Sequence, residues 1–517
     1  MKSSLKAALW SAVILFSAEA TLVAQSSVST RWWSADTETY GLLHRPVRVS
    51  LVPGLSTNGT DATRYSARYS LNLIAGYHGG LEDGYEIGLI NINKYYTYAR
   101  FQLGGVNVSG GDMAGVNLGF IGNYAHKDLF GIQLAGGLNL TPGESGGLQL
   151  AGLANMAGGD LGGMHYAGLM NISGGEIGGL QLAGVFNGSR GEMGGVQLAG
   201  IGNFSGADMG GLQLAGIGNI AVGDAGGLQV TGLFASAGRD LGGLIVTGGV
   251  VLAGSDAAGM MISGLGTVAG NGIEGMAVSG IGNLASGNIS GLAVSGIGNA
   301  ANELEGLIVA GIGNVGQDIS GLSVAGLFNV SYAATGLQVA PFNVARHFEG
   351  MPVGLISLYG NGRKNIDIWG DELGFVSAGL KTGTIANHNL LSFGFNPAIT
   401  DRDVFQLAWH VGRIKTLDEA WNRPSLDRYF VKRDWSFTVL IDGDRDLVDR
   451  NHLIRYRYLL GVQPAAGFGL YGGPVLTMYV SDHPERDDFT PYTIYETSRG
   501  DVDYRFWVGL TMGVQLF

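Results

Sequence analysis

The chain has 517 residues, of which 91 are glycine and only 11 proline, carries a formal net charge of −12 and contains no cysteine. The absence of a Gly-X-Y period excludes collagen, a hydrophobic content of 46 % excludes a disordered chain, and the acidic balance argues against nucleic acid as a partner. The length calls for more than one folding unit, and a chain without cysteine forms no disulfide and carries no lipidated cysteine.

At the start, Lys2 and Lys6 precede the apolar run Ala7 to Phe16 and the small-residue site Ala18-Glu19-Ala20. This pattern predicts a signal peptide over residues 1–20, and cleavage as late as residue 24 also fits. The run is too short to span a bilayer, and no later stretch has the length and apolarity of a spanning helix. Residence in a membrane would therefore require β-structure. Residues 21–79 form an N-terminal segment expected to contribute one or two strands. The clearest is "VRVSLVPG" (Val47 to Gly54), which alternates apolar and polar residues.

A repeat dominates the middle of the chain. Anchor glycines recur every sixteen residues from Gly115 to Gly291 and then every fifteen at Gly306, Gly321 and Gly336. Looser copies flank them, "GYEIGLININ" at Gly84 and "GMPVGLISLYG" at Gly350. With the anchor as position one, positions two, four, seven and fifteen are apolar, as in Leu212, Leu214, Ile217 and Met209. Position three is usually polar or small, as in Gln149, Gln181, Gln197, Gln213 and Gln229. Such alternation predicts short strands with one buried face, with the leucines in the core and the glycines at the turns. Glycine at this density is incompatible with helix. A unit this small buries nothing alone but does so when stacked, so residues 80–360 are expected to form a β-solenoid. Sixteen or seventeen coils at a spacing of ~4.8 Å would extend about 80 Å. The rival geometry, an antiparallel meander closing into a wide barrel, demands strands of ~9–11 residues, longer than these.

Two polar positions recur with the same step. Asparagine occupies position nine at Asn107, Asn123, Asn139, Asn155, Asn171, Asn187, Asn203 and Asn219, and again from Asn283 onward. Stacked amides that bond one another and the turn backbone are the structural expectation, with a ligand-binding polar stripe as the alternative. Acids occupy position fourteen at Asp112, Asp128, Glu144, Asp160, Glu176, Glu192, Asp208, Asp224, Asp240 and Asp256. Carboxylates ~4.8 Å apart repel by roughly 1 kcal/mol per pair in water. Screening by salt, turn amides bonded to the carboxylates, or calcium along the edge would make the ladder tolerable.

No enzyme is expected. "GGLQLAGIGN" at 210–219 lacks the Gly-Lys-Ser/Thr of a phosphate loop, and the chain has no His-Glu-x-x-His and no nucleophile-elbow string. No cofactor is expected other than calcium at the acidic edge.

From residue 361 the repeats stop and longer alternating segments follow. In the last, Tyr504, Phe506, Val508, Leu510, Met512, Val514 and Leu516 share one face, opposite Asp503, Arg505, Trp507, Thr511 and Gln515. Seven strands are expected, near 374–382, 389–396, 404–413, 432–442, 453–463, 467–481 and 504–516, with Val47 to Gly54 as the eighth. An apolar exterior around a polar lumen is the pattern of a small outer-membrane barrel, and the chain ends on an aromatic, Phe517. A soluble β-domain with its apolar faces inward is the alternative. The expected fold class is thus all-β: a glycine-rich solenoid of 16-residue coils followed, over 361–517, by an antiparallel barrel of about eight strands.

The strings "VRVSLVPGLSTNG", "YSLNLIAGYHGGLEDGYEIGLININ" and the many "GLQLAGxxN" units resemble the bacterial surface repeat-containing protein family, from residue 47 to the end. The resemblance implies an envelope protein of a two-membrane bacterium, exposed at the surface, and implies no catalytic residues. The expected function is a non-enzymatic outer-membrane protein that presents an acidic solenoid for adhesion or interaction. Its expected partners are membrane lipid and a surface or host ligand. A soluble periplasmic or secreted structural or carbohydrate-binding protein and a transporting barrel are the alternatives.

Overall fold

The computed structural model describes residues 40–400, 402–418, 424–442, 451–465, 467–482, 489–500 and 502–516. The expected signal segment lies outside the described residues. The protein is all-β, with a parallel solenoid of about 16 turns and a nine-stranded antiparallel sheet at the C-terminus. The chain divides into two compact units after Gly280.

In the first unit each regular coil has two four-residue strands and a one-residue bridge. Leu212–Ala215 and Gly218–Ala221 are the strands of one such coil, and Met209 bridges to Met193 and Ala225. Coils stack in strict register. Gln197 pairs with Gln181 and Gln213, and Asn203 with Asn187 and Asn219. The stack begins earlier than residue 80, because Val47–Val52 lies parallel to Tyr69, Ser70, Leu71 and Asn72. The segment expected as the eighth barrel strand is therefore the head of the solenoid. Its polar face (Arg48 and Ser50) is the buried one, as in a barrel strand, so alternation alone did not separate the two.

The expected orientation of the repeat is inverted. Gln149, Gln181, Gln197 and Gln213 are fully buried, as are the position-nine asparagines, while Leu153, Ile217 and Leu233 at position seven are exposed, Leu233 by 58 %. Positions two and four, read as core, face outward and are only partly covered. What is buried is amide, alanine and the position-fifteen residues Leu161, Ile177, Met193 and Met209. Four-residue strands separated by single turns leave an interior too narrow for two facing rows of leucine. Alanine fits there, and the asparagine amides fit because the next coil supplies their hydrogen-bond partners, as Asn187 does for Asn171, whereas glutamines such as Gln181 donate to a carbonyl of their own coil.

The second unit holds the later coils and the sheet. Asn299 pairs with Asn314 and Gly306 with Gly321, so register survives the shorter step. Eight strands of the sheet close on themselves: Arg363–Asp371, Val376–Gly383, Asn387–Phe395, Val404–Thr416, Tyr429–Asp442, Asn451–Ala465, Phe468–Ser481 and Val502–Leu516. Each pairs antiparallel with the next, and the last also pairs with the first through Ile366 and Leu516. Tyr495–Arg499 adds a ninth strand at the free edge of the last. Arg363–Asp371, not the N-terminal segment, completes the barrel. Its outer wall carries Phe393, Phe437, Leu460, Leu476 and Leu510, all exposed, whereas Asp367, Lys381, Lys432 and Asp434 are buried inside.

Candidate functional site

The interior of the first unit is a chain of amides that begins on a cation. Arg48 donates to Asn72 Oδ1 at 2.8 Å, and Asn72 Nδ2 donates to Asn91 Oδ1 at 2.8 Å. From Asn91 the same bond runs through Asn107, Asn123, Asn139, Asn155, Asn171, Asn187, Asn203 and Asn219, at 2.8–3.0 Å. The second proton on each Nδ2 from Asn107 to Asn203 goes to the carbonyl eleven residues on, at 2.9–3.2 Å. All the amides point one way, so their oxygens face the N-terminal end, where the guanidinium sits. Arg48 and Asn72 lie ahead of the regular repeat, where no sixteen-residue step marks them, whereas Asn91 stands one such step before Asn107. The row is full, and it presents no free amide edge to a ligand.

Beside Arg48 lies a buried carboxylate. Glu86 accepts hydrogen bonds from Ser70, Asn72 and His78 on one oxygen and from Asn93 and Gln102 on the other, at 2.8–3.0 Å. Burial alone would raise its pKa. The His78 charge and these donors outweigh burial and hold the pKa at about 2. Charge and donors are thus matched at the head of the stack, where the interior is otherwise uncharged.

His165 occupies the glutamine position and donates from Nε2 to the Gly162 carbonyl at 2.6 Å. Burial lowers its pKa from 6.5 to about 4, a shift that the bond to Gly162 only partly offsets. The folded chain therefore resists a proton that the unfolded chain takes up near pH 6.5. Stability is complete above that pH and falls as pH drops toward 4. Between pH 7 and 4.5 we expect a loss of roughly 2–3 kcal/mol from this residue. His165→Gln should remove that loss in denaturant titrations at the two pH values, and an unchanged pH dependence would refute the assignment.

The acids line one edge, and aspartate and glutamate behave differently there. Asp112, Asp128, Asp160, Asp208, Asp224, Asp240 and Asp256 each accept, through Oδ1, the backbone N–H of the residue sixteen positions on, at 2.8–3.4 Å. The longer Glu144, Glu176 and Glu192 make no such bond. Each aspartate thus ties its coil to the next, as a side chain does at a helix N-cap. Glu176 has its pKa raised by burial and then by the charges of Asp160 and Glu192, so the carboxylates do repel along the row. Arg239 offsets part of this by bridging Asp208 at 2.8 Å and Asp224 at 3.0 Å. Among the described residues no group of three or more acids or histidines converges as a cation site.

This geometry separates two roles of the edge. Asp160→Asn keeps the acceptor and removes the charge, so stability should rise by a few tenths of a kcal/mol. Asp160→Ala loses the amide partner and should cost about 1 kcal/mol. If the edge is held by calcium, Asp160→Asn would instead be destabilising in millimolar calcium and harmless in chelator. Denaturant midpoints in both media decide the matter.

Inside the barrel, Asp367 is bonded by Lys381 at 2.6 Å and Lys432 at 2.8 Å, and Asp434 by Arg457 at 2.6 Å. His388 and His410 stand 3.7 and 3.8 Å from Asp434. Two apolar clusters accompany this network, one around Phe375, Leu453 and Trp507 and one around Leu390, Phe430 and Leu459. Side chains fill the lumen, as expected for eight strands. The charges sit on the polar face of each alternating strand, a signal the sequence carries for the strands but not for the pairing.

These features define an all-β repeat protein joined to a closed antiparallel barrel of inverted polarity. Comparison with protein-family models, with curated proteins and with solved structures finds no match to this chain.

Proposed function

We propose that the chain is a non-enzymatic outer-membrane protein of a two-membrane bacterium, anchored by the barrel and using the solenoid as its interaction surface. The observation that carries this reading is the polarity of the barrel, with ion pairs buried inside and aliphatic and aromatic side chains on the outer wall. In water that arrangement would expose apolar surface at a cost of about 25 cal/mol per Å². In lipid the same surface is the stable one. A soluble carbohydrate-binding or structural protein is disfavoured by that wall, and transport by the packed lumen. The resemblance to surface repeat-containing proteins agrees with an envelope location.

The test is extraction and gel mobility of the full chain expressed with its leader in a two-membrane host. The protein should stay with washed outer membranes, need detergent for release, and migrate faster unheated than boiled. Recovery in the soluble periplasmic fraction without detergent would overturn the reading. Solute flux through liposomes carrying the protein would replace anchor with pore.

A further inference from the structure

Charge is confined to one edge of every coil. In all sixteen coils from Gly115 to Gly350, positions two and four hold only apolar residues, and no charged residue occupies positions two to ten. Carboxylates, lysines and arginines are restricted to positions eleven to sixteen, as with Arg346, Asp224, Arg239 and Asp318. Because the amide rows face inward, the side chains that the second unit's coils present outward from position two round to position ten are all apolar, a run of the kind that soluble monomers rarely expose. Ile297, Ile312 and Leu327 carry this corner in the second unit, all about half exposed or slightly less.

The last coil places this corner against the barrel wall. Trp409, on the outer face of its strand, donates its indole N–H to the Gly354 carbonyl at 2.6 Å, next to Leu355 of the same corner. Thr382 and Asn389 also point outward, yet they are buried, because Thr382 receives the Ser357 amide and Asn389 bonds Ser357 and Gly354. One step along the same strands the wall is apolar and exposed, at Leu380 and Phe393. The coil therefore meets the barrel at the border of its apolar band, and the two hydrocarbon surfaces are continuous there.

The backbone permits the same environment. Lipid excludes structures with unpaired N–H and C=O groups, which is why helices and closed barrels dominate. A stacked coil satisfies its strand groups from the coils on either side, as at Ile312 N–H to the Ile297 carbonyl and Leu327 N–H to the Ile312 carbonyl, both 2.8 Å.

We propose that the apolar corner of the second unit's coils, at Ile297, Ile312, Leu327 and Leu355, is embedded in the acyl region of a membrane leaflet, with their polar edge at the water boundary. The leaflet is the one beside the rim where the solenoid enters at Arg363. At that rim the chain passes from Gly383 to Asn387, from Thr416 to Tyr429 and from Ala465 to Phe468, with 3, 12 and 2 residues between the strand ends, and at the opposite rim from Asp371 to Val376, Phe395 to Val404, Asp442 to Asn451 and Ser481 to Val502, with 4, 8, 8 and 20. Barrels of this kind keep short turns on the periplasmic side, so the leaflet is the periplasmic one. The inference rests on the barrel being a membrane anchor.

Because the chain lacks cysteine, spin labels can be placed singly. The full chain in phosphatidylethanolamine–phosphatidylglycerol vesicles would carry a nitroxide at Ile312→Cys, at Asn302→Cys on the polar edge, or at Leu460→Cys on the barrel wall. Collision with oxygen reports lipid, and collision with a water-soluble nickel chelate reports water. We expect the labels at 312 and 460 to favour oxygen at least fivefold over the chelate, and the label at 302 to do the reverse. Chelate access at 312 equal to that at 302, with 460 in lipid, would overturn the inference and leave the anchor standing. Exclusion of both reagents at 312 would mean that a second copy covers the corner, and would overturn it too. Chelate access at 460 would overturn the anchor itself.

Discussion

Gly211→Ala is expected to unfold its neighbourhood, whereas Gly210→Ala, one residue away, is expected to do no harm. Gly211 has a φ of +90°, and a methyl group built on it would lie 2.1 Å from the carbonyl oxygen of Gly195 on the coil below. A left-handed backbone costs a side chain about 1–2 kcal/mol, and forcing backbone apart adds about 1–3 kcal/mol. The neighbouring coil cannot yield, because its own anchor lies equally close to the next, 2.3 Å for Gly195 over Gly179. The total should be about 2–5 kcal/mol. Gly210 has no heavy atom within 4 Å of the same position and no positive φ, so alanine there should be neutral or stabilising by up to about 1 kcal/mol through the unfolded chain. Hydrogen exchange of the coil amides measures both. Equal effects at the two glycines would show that the anchor is not held by this close approach.

Asn171→Ala should be comparably severe. Asn171 Oδ1 accepts from Asn155, and its Nδ2 donates to Asn187 Oδ1 and to the Leu182 carbonyl. Truncation strands a donor and two acceptors in a dry interior, at about 1–3 kcal/mol for each left wholly unpaired. Asn155 keeps its bond to the Tyr166 carbonyl, so we expect a net loss of about 3–5 kcal/mol. The chain itself shows the alternative in which no partner is stranded. At Ala235, Val251 and Thr267 the asparagine row is interrupted, and the glutamine row turns apolar over the same stretch, at Ile245, Met261 and Ala277. The interior there is hydrocarbon with a few hydroxyls, such as Ser263 and Thr267 beside Ser279, and the asparagines resume at Asn283. A loss below 1 kcal/mol at Asn171 in denaturant titration would mean that water replaces the missing amide.

Periodicity made the solenoid, its register and its acidic edge legible before any coordinates, because stacking demands the same residue type at the same step. The inversion was not legible. A period of two states which residues share a face but not which face is inside. Leucine beside glutamine reads as leucine buried, and only the width of the coil reverses that. The barrel strands from Val376 onward stood out through strict alternation. Arg363–Asp371 did not, since it follows the last copy without a break and puts Asp367 and Trp369 on its inner face. The aspartate bonds to the next coil were within reach of sequence reasoning. The glutamates that lack them were not, because a side chain one methylene longer keeps the same charge and period.

The two ends of the coil stack differ from its body. At its head, Val47–Val52 is backed by the antiparallel pair with Leu55 and Ser56, and Arg48 fills the oxygen end of the amide row. At its tail, Ser357 accepts from Asn343 and from Asn389 of the barrel wall. Between Gly131 and Gly227, by contrast, successive sixteen-residue coils repeat almost the same upper and lower surface. The number of coils is therefore a free parameter of the architecture. A gene that gains or loses one 48-nucleotide unit there would change the number of stacked coils while leaving the fitting at Arg48 intact.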